Sequence, residues 1–156
     1  MRALFIAVLL TAWSGAVSSS YAQNVDASDP QQIASILQEL GFRAKLETTS
    51  NNTPRIESSS GGKFFYIYFV GCKDGANCKA INFSTYWIFE KKVAIETVNA
   101  WNLEKFVGKA FLDKDGDVFL QFFVNLDKGG VERKNFEDTI EWWQLALGQF
   151  GKYITE

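Results

Sequence analysis

The sequence predicts an α+β domain in which a β-sheet is packed by an N-terminal, a middle and a C-terminal helix. Three observations carry that expectation. Apolar residues recur at three- and four-residue spacing near both ends of the chain, alternate with polar residues through its middle, and are interrupted by short turn-rich breaks. Each element can be justified in order.

Asp29-Pro30-Gln31-Gln32 reads as a helix start, with Asp29 as N-cap, Pro30 at the first helical position and Gln32 reaching back as capping-box partner. Ile33, Ile36, Leu37 and Leu40 then share one face, and Gly41 supplies the stop. Ala44, Leu46 and Thr48 alternate with Arg43, Lys45 and Glu47, the pattern of a half-buried strand. After a polar turn, Arg55 to Ser59 returns as a short strand around Ile56, and its polarity points to a sheet edge. Beyond Ser60-Gly61-Gly62, the run Phe64 to Val70 is unbroken and apolar, so a central strand covered on both faces, or nearly so, is expected.

In the next strand Ile81, Phe83, Trp87 and Phe89 point one way, and Asn82, Ser84 and Tyr86 the other. A short helix follows in which Ile95, Val98 and Trp101 share a side. Asn99 and Asn102 favour helices weakly, so both are expected to bond neighbouring backbone, with Asn102 ending the helix in a left-handed turn.

Phe106 to Leu112 reads as extended, with Gly108 and Ala110 on one face, where small side chains admit a helix or mark a bulge. Asp113 to Asp117 makes a hairpin turn. In the returning strand Val118, Leu120, Phe122, Val124 and Leu126 form one face and Phe119, Gln121, Phe123 and Asn125 the other. From Glu132 onward Phe136, Ile140, Trp143, Leu147, Phe150 and Ile154 make a long helical seam, widened by Trp142, Ala146 and Tyr153 and expected to lie across the sheet. Gly148 and Gly151 each cost about 1 kcal/mol relative to Ala inside a helix, so the helix frays there or close packing compensates.

The address is written at the start of the chain. Arg2, the apolar run Ala3 to Trp13 and the small residues Ser20 and Ala22 read as a signal peptide over residues 1–22, cleaved after Ala22. Residues 23–28 are then a flexible mature N-terminus and 29–156 the domain. A periplasmic or secreted protein is expected, with no membrane insertion after cleavage, because no apolar run approaches ~20 residues.

Cleavage leaves 134 of 156 residues, enough for one core, with 15 basic against 18 acidic side chains and a net charge of −3. Such a balance lacks the basic face that nucleic-acid binding requires. Cys72 and Cys78 are the only cysteines and suit a structural disulfide in an oxidising compartment. A redox pair normally spaces its cysteines C-x-x-C, and a metal site needs three or four ligands in a chain that has no His.

Candidate chemistry is sparse. Asp113, Asp115 and Asp117 resemble a calcium loop, but Val118 and Val124 stand where an EF-hand needs Gly and Glu, so a metal-free turn is expected. Neither a nucleophile elbow nor a phosphate-binding glycine loop is present, and no catalytic residue, metal or cofactor is expected. Aromatic residues exceed what one helix-sheet seam needs. Tyr66, Tyr68, Tyr86 and Trp142 are the candidates for a sheet face or helix edge that binds a protein, a peptide or a second copy of the chain.

The segment Thr97-Val98-Asn99-Ala100-Trp101-Asn102, followed by Gly108 to Asp113, the Asp-Gly-Asp turn, Val124-Asn125-Leu126, Gly129-Gly130-Val131 and the Trp142-Trp143 helix, resembles the YbjN domain family. That family is described as bacterial sensory transduction regulators with a fold like type III secretion chaperones. The resemblance implies an antiparallel sheet and offers no catalytic residues to carry over. This chain differs from cytoplasmic members in its signal peptide and cysteine pair.

Together these readings predict a periplasmic, non-enzymatic binding or regulatory module that recognises a protein or peptide through an aromatic-rich surface. The alternative is a small-molecule or glycan sensor. An open apolar patch favours the first, an enclosed cavity with convergent polar groups the second.

Overall fold

The computed structural model describes residues 24–156, so the expected signal peptide, its cleavage site and Gln23 lie outside the described residues. The elements are α1 (Pro30–Glu39), β1 (Arg43–Thr48), β2 (Pro54–Ser60), β3 (Lys63–Val70), β4 (Ala80–Trp87), α2 (Ile95–Glu104), β5 (Lys109–Leu112), β6 (Val118–Asn125) and α3 (Arg133–Thr155). All six strands form one antiparallel sheet in the order β1-β2-β3-β4-β6-β5. The α+β architecture with N-terminal, middle and C-terminal helices is the expected one. Among the described residues, no helix is long and apolar enough to cross a membrane.

Capping holds α1 in place. The Asp29 carboxylate accepts from the Gln32 amide at 3.0 Å, while the Gln32 side chain reaches past the cap, accepting from Asp26 N and donating to Asn24 O. Ile33, Ala34, Ile36 and Leu37 are buried; Leu40, expected with them, is the C-cap residue and is exposed. The segment before α1 is also packed. Val25 exchanges backbone hydrogen bonds with Val131, and Val25 and Ala27 are fully buried, which differs from the free polar tail read from composition.

Two strand readings change. β2 is not an edge: it lies between β1 and β3, and β1 and β5 form the edges. Its polar residues Arg55, Glu57 and Ser59 alternate with buried Ile56 and Ser58, so they mark one uncovered face, not an uncovered strand. β3 is interior, as expected, but covered on one face alone. Phe65, Ile67 and Phe69 are buried, whereas Phe64 and Val70 are exposed and Tyr66 and Tyr68 half-buried.

The covered side is a single core. Trp143 of α3 lies against Phe65 and Phe83, with ring centroids 5.6 and 5.5 Å apart, and Trp101 of α2 meets Phe150 of α3 at 4.9 Å. The buried residues of α1 join the same cluster. α2 is tied to β5 by Asn102, whose amide donates to Ala110 O at 2.8 Å and accepts from Ala110 N at 2.9 Å, and by Trp101 Nε1 donating to Gly108 O. Asn99 is exposed and Lys105, in an extended conformation, caps the helix, so the left-handed ending at Asn102 is not found.

Gly108 is required where it stands. Its φ is +82°, and a Cβ there would come within 2.9 Å of Leu120 Cδ1 and 3.5 Å of Ala146 Cβ. The close helix approach expected from small residues therefore occurs. α3 does not fray at Gly148 or Gly151; it runs unbroken to Thr155, and the Trp87 ring lies 3.6 Å from where a Gly151 Cβ would sit.

Candidate functional site

Cross-strand partners in an antiparallel sheet point to the same side, so the register shows what the helix-free face carries. One level runs Glu57, Tyr66, Ser84, Gln121, Lys109 from β2 to β5. A second runs Arg55, Tyr68, Asn82, Phe123. A third contains Tyr86, Phe119 and Phe111, and Phe64, two residues before Tyr66, falls level with Tyr86, two after Ser84. Phe64 is 54% exposed, Phe123 59% and Tyr86 44%.

The rings organise themselves without helical cover. Phe111 and Phe119 stack at 5.3 Å, Tyr86 and Phe119 at 5.7 Å, and Tyr66 and Tyr68 lie 5.9 Å apart. Cations flank them: the Arg55 guanidinium lies 4.5 Å above the Tyr66 ring and the Lys109 ammonium 5.2 Å from that of Phe111. Glu47 joins Arg55 at 2.6 Å and Lys45 at 2.8 Å. The hydrogen bonds from Lys45 and Arg55 hold the Glu47 carboxyl below its ordinary range. Burial, with a smaller contribution from Glu57, raises the Tyr66 phenol. Across the face lies an aromatic band with charge at both ends, and beside Phe64, Tyr66 and Tyr86 it dips into an open cavity of about 530 Å³ that Glu57 and Lys63 also line.

Tyr66, Tyr68 and Tyr86 share this surface; Trp142 does not. It projects from α3 in the helical layer, 47% exposed, beside Trp101, Phe106 and Leu145 around a cavity of about 220 Å³. Successive helical residues are turned by about 100°, so burying Trp143 against the sheet turns Trp142 outward. Phe64, Phe119 and Phe123 belong to the sheet surface and were missing from the expected set. Alternation already placed Phe119 and Phe123 opposite buried Val118 and Leu120.

The remaining candidates have structural employment. Asp113 Oδ1 accepts from the amides of Asp115 and Asp117, each at 2.9 Å, while Asp117 pairs with Lys92 at 2.7 Å and Asp115 with Lys114 at 3.0 Å. The acidic hairpin thus consumes its carboxylates in turn formation and ion pairs. Cys72 and Cys78 are joined in a disulfide in the segment between β3 and β4. What the bare face offers chemically is aromatic area, guanidinium and amide groups, suited to binding.

No curated protein and no solved structure shows significant similarity to this chain. A family model described as "Putative bacterial sensory transduction regulator" matches residues 29–156, from the cap of α1 through α3, and the chain belongs to the YbjN family.

Proposed function

We propose that this protein is an exported, non-enzymatic regulatory module that recognises a protein or peptide through the bare aromatic face of its sheet. The carrying observation is the band from Phe111 through Phe119 and Tyr86 to Phe64, Tyr66 and Tyr68, left open where the opposite side of the same strands is largely covered. Covering such a band removes apolar area from water at about 25 cal/mol per Å² before association costs are subtracted. Its extent across four strands favours a macromolecular surface over a single small ligand, and the family description supports a regulatory role. The signal-like N-terminus and the Cys72–Cys78 disulfide support export.

Affinity capture with the intact chain as bait tests the reading. A partner retained by the parent and by Trp142→Ala, but lost with Phe123→Ser, is the expected result. Equal retention by all three baits overturns it. Thiol labelling of fractionated cells tests export: the pair should resist alkylation in the periplasmic or secreted fraction, and a reduced pair in the cytosol counts against it.

A further inference from the structure

We infer that the open cavity at one corner of the bare face binds a free di- or tripeptide. Its terminal ammonium would lie on Glu57, its terminal carboxylate on Lys63 and its apolar parts on the rings of Phe64, Tyr66 and Tyr86. This goes beyond the reading of the face as a protein-binding surface, because it concerns one cavity and a small soluble ligand. The cavity, about 530 Å³ in volume, lies beside the turn between β2 and β3 and reaches Tyr86 and Trp87 at the end of β4.

Charge of both signs is left open there. The Lys63 ammonium donates to Tyr86 O at 2.6 Å and lies 4.4 Å from the Trp87 ring, which fixes its position. Its remaining N–H groups are left for a ligand. Burial lowers the Lys63 pKa, and a bound carboxylate would offset that cost. Glu57 lines the same cavity, and among the described residues neither Glu57 nor Lys63 forms an ion pair, with the other or with any third group. A lone anion would be attracted by Lys63 and repelled by Glu57, and a lone cation the reverse. A neutral sugar would stack on the rings but cover both charges without pairing either, which is costly. A zwitterion pairs both.

The register sets the length of that zwitterion. Glu57 stands opposite Tyr66 and level with Ser84, whereas the Lys63 ammonium is held at Tyr86, one level further along β4. Two strand spacings of ~4.8 Å across and two residues of ~3.3 Å along separate the Glu57 and Tyr86 backbones by roughly 12 Å. The Glu57 side chain and the Lys63 ammonium, which reaches Tyr86 from β3, both shorten that span, leaving roughly 6–10 Å between the charges. At ~3.3–3.6 Å per extended residue, two or three residues bridge it. A single amino acid, with its charges on the order of 3 Å apart, does not. Between the two charges lie the rings of Phe64, Tyr66 and Tyr86, which offer apolar area to the peptide's side chains.

Calorimetric titration of the purified chain with the tripeptide alanyl-phenylalanyl-alanine tests the site. The free tripeptide is expected to bind, and its N-acetyl and C-terminal amide forms to bind about tenfold or more weakly. Glu57→Gln should no longer distinguish the free from the N-acetyl form, and Lys63→Met the free from the amide form, with Trp142→Ala behaving as the parent. The blocked peptides are also compared on the unaltered chain, so a variant that fails to fold does not weaken the result. No binding of the free tripeptide at millimolar concentration overturns the inference. So does equal binding of the free and blocked forms, of free phenylalanine, or of tri-N-acetylchitotriose. The tripeptide is the sole ligand present, so this titration and the partner capture fail independently: equal capture on all baits leaves the cavity standing, and an empty cavity leaves a captured partner standing.

Discussion

On the side of the sheet that the helices cover, Phe65 and Phe83 hold Trp143 with centroid separations of 5.6 and 5.5 Å, and all three rings are fully buried. On the other side, Tyr86 and Phe119 stack at a similar 5.7 Å, yet Tyr86 remains 44% exposed. Phe83 and Tyr86 come from the same strand, β4, and point to its opposite faces. Ring contact alone thus does not make a core; a second layer must remove the rings from water. A sheet aromatic on both faces with helices on one side has spent half of its apolar capacity on folding and kept the other half available.

The largest predicted effect tests that asymmetry directly. Trp143→Ala should destabilise the chain by about 3–5 kcal/mol, because it removes a fully buried indole and leaves a cavity between α3 and the sheet. Tyr86→Ala, measured at concentrations where the chain is monomeric, should cost less than about 1 kcal/mol, since much of that ring is already solvated. Urea denaturation of both variants beside the parent provides the check. Equal losses would mean that the two faces contribute alike to folding.

Local signals explain what was legible in the sequence. The Asp29 cap, the central line of the α3 seam and the Asp113 turn depend on residues a few positions apart and form as read, while Trp142 and Tyr153, expected to widen the seam, are exposed. Double cover does not follow from the apolar run of β3, because such a run says nothing about where helices will sit. β2 was read as an edge because its polar residues report an uncovered face, and a single strand cannot distinguish an open face from an open edge. Strict alternation groups Tyr66, Tyr68 and Tyr86 on one face, whereas the side to which Trp142 turns depends on the packing of its neighbour Trp143. Phe64, Phe119 and Phe123 carry no local mark of exposure, since their hydrophobicity suits a core equally well.

Closure of the covered side also depends on a polar lock, and its loss should be intermediate in size. Asn102 satisfies both the N–H and the C=O of Ala110, joining α2 to β5 at the one short edge strand of that layer. Asn102→Ala leaves both backbone groups without those partners and should cost about 1–3 kcal/mol. Asn99→Ala, on the exposed side of the same helix, should change stability by under about 0.5 kcal/mol. Thermal melts of the two variants separate a specific tie from general helix propensity. Similar shifts would remove the lock from the account.

The smallest effect belongs to the uncovered side and concerns Glu47. Hydrogen bonds first from Lys45 and then from Arg55 hold its carboxyl below the ordinary range in the folded chain. The folded state therefore binds this proton less readily than the unfolded state, and the Glu47 contribution is fully present above the unfolded pKa. As pH falls through the depressed folded value, the carboxylate is protonated and the contribution disappears. Lys45 is well exposed and Glu47 partly so, so added salt should weaken the effect. Urea midpoints across the acidic range should show a shallow decline that Glu47→Gln flattens and high salt reduces. A decline that persists unchanged in Glu47→Gln would show that the charges at this end of the bare face do not organise it, leaving the stacked rings as its main internal order.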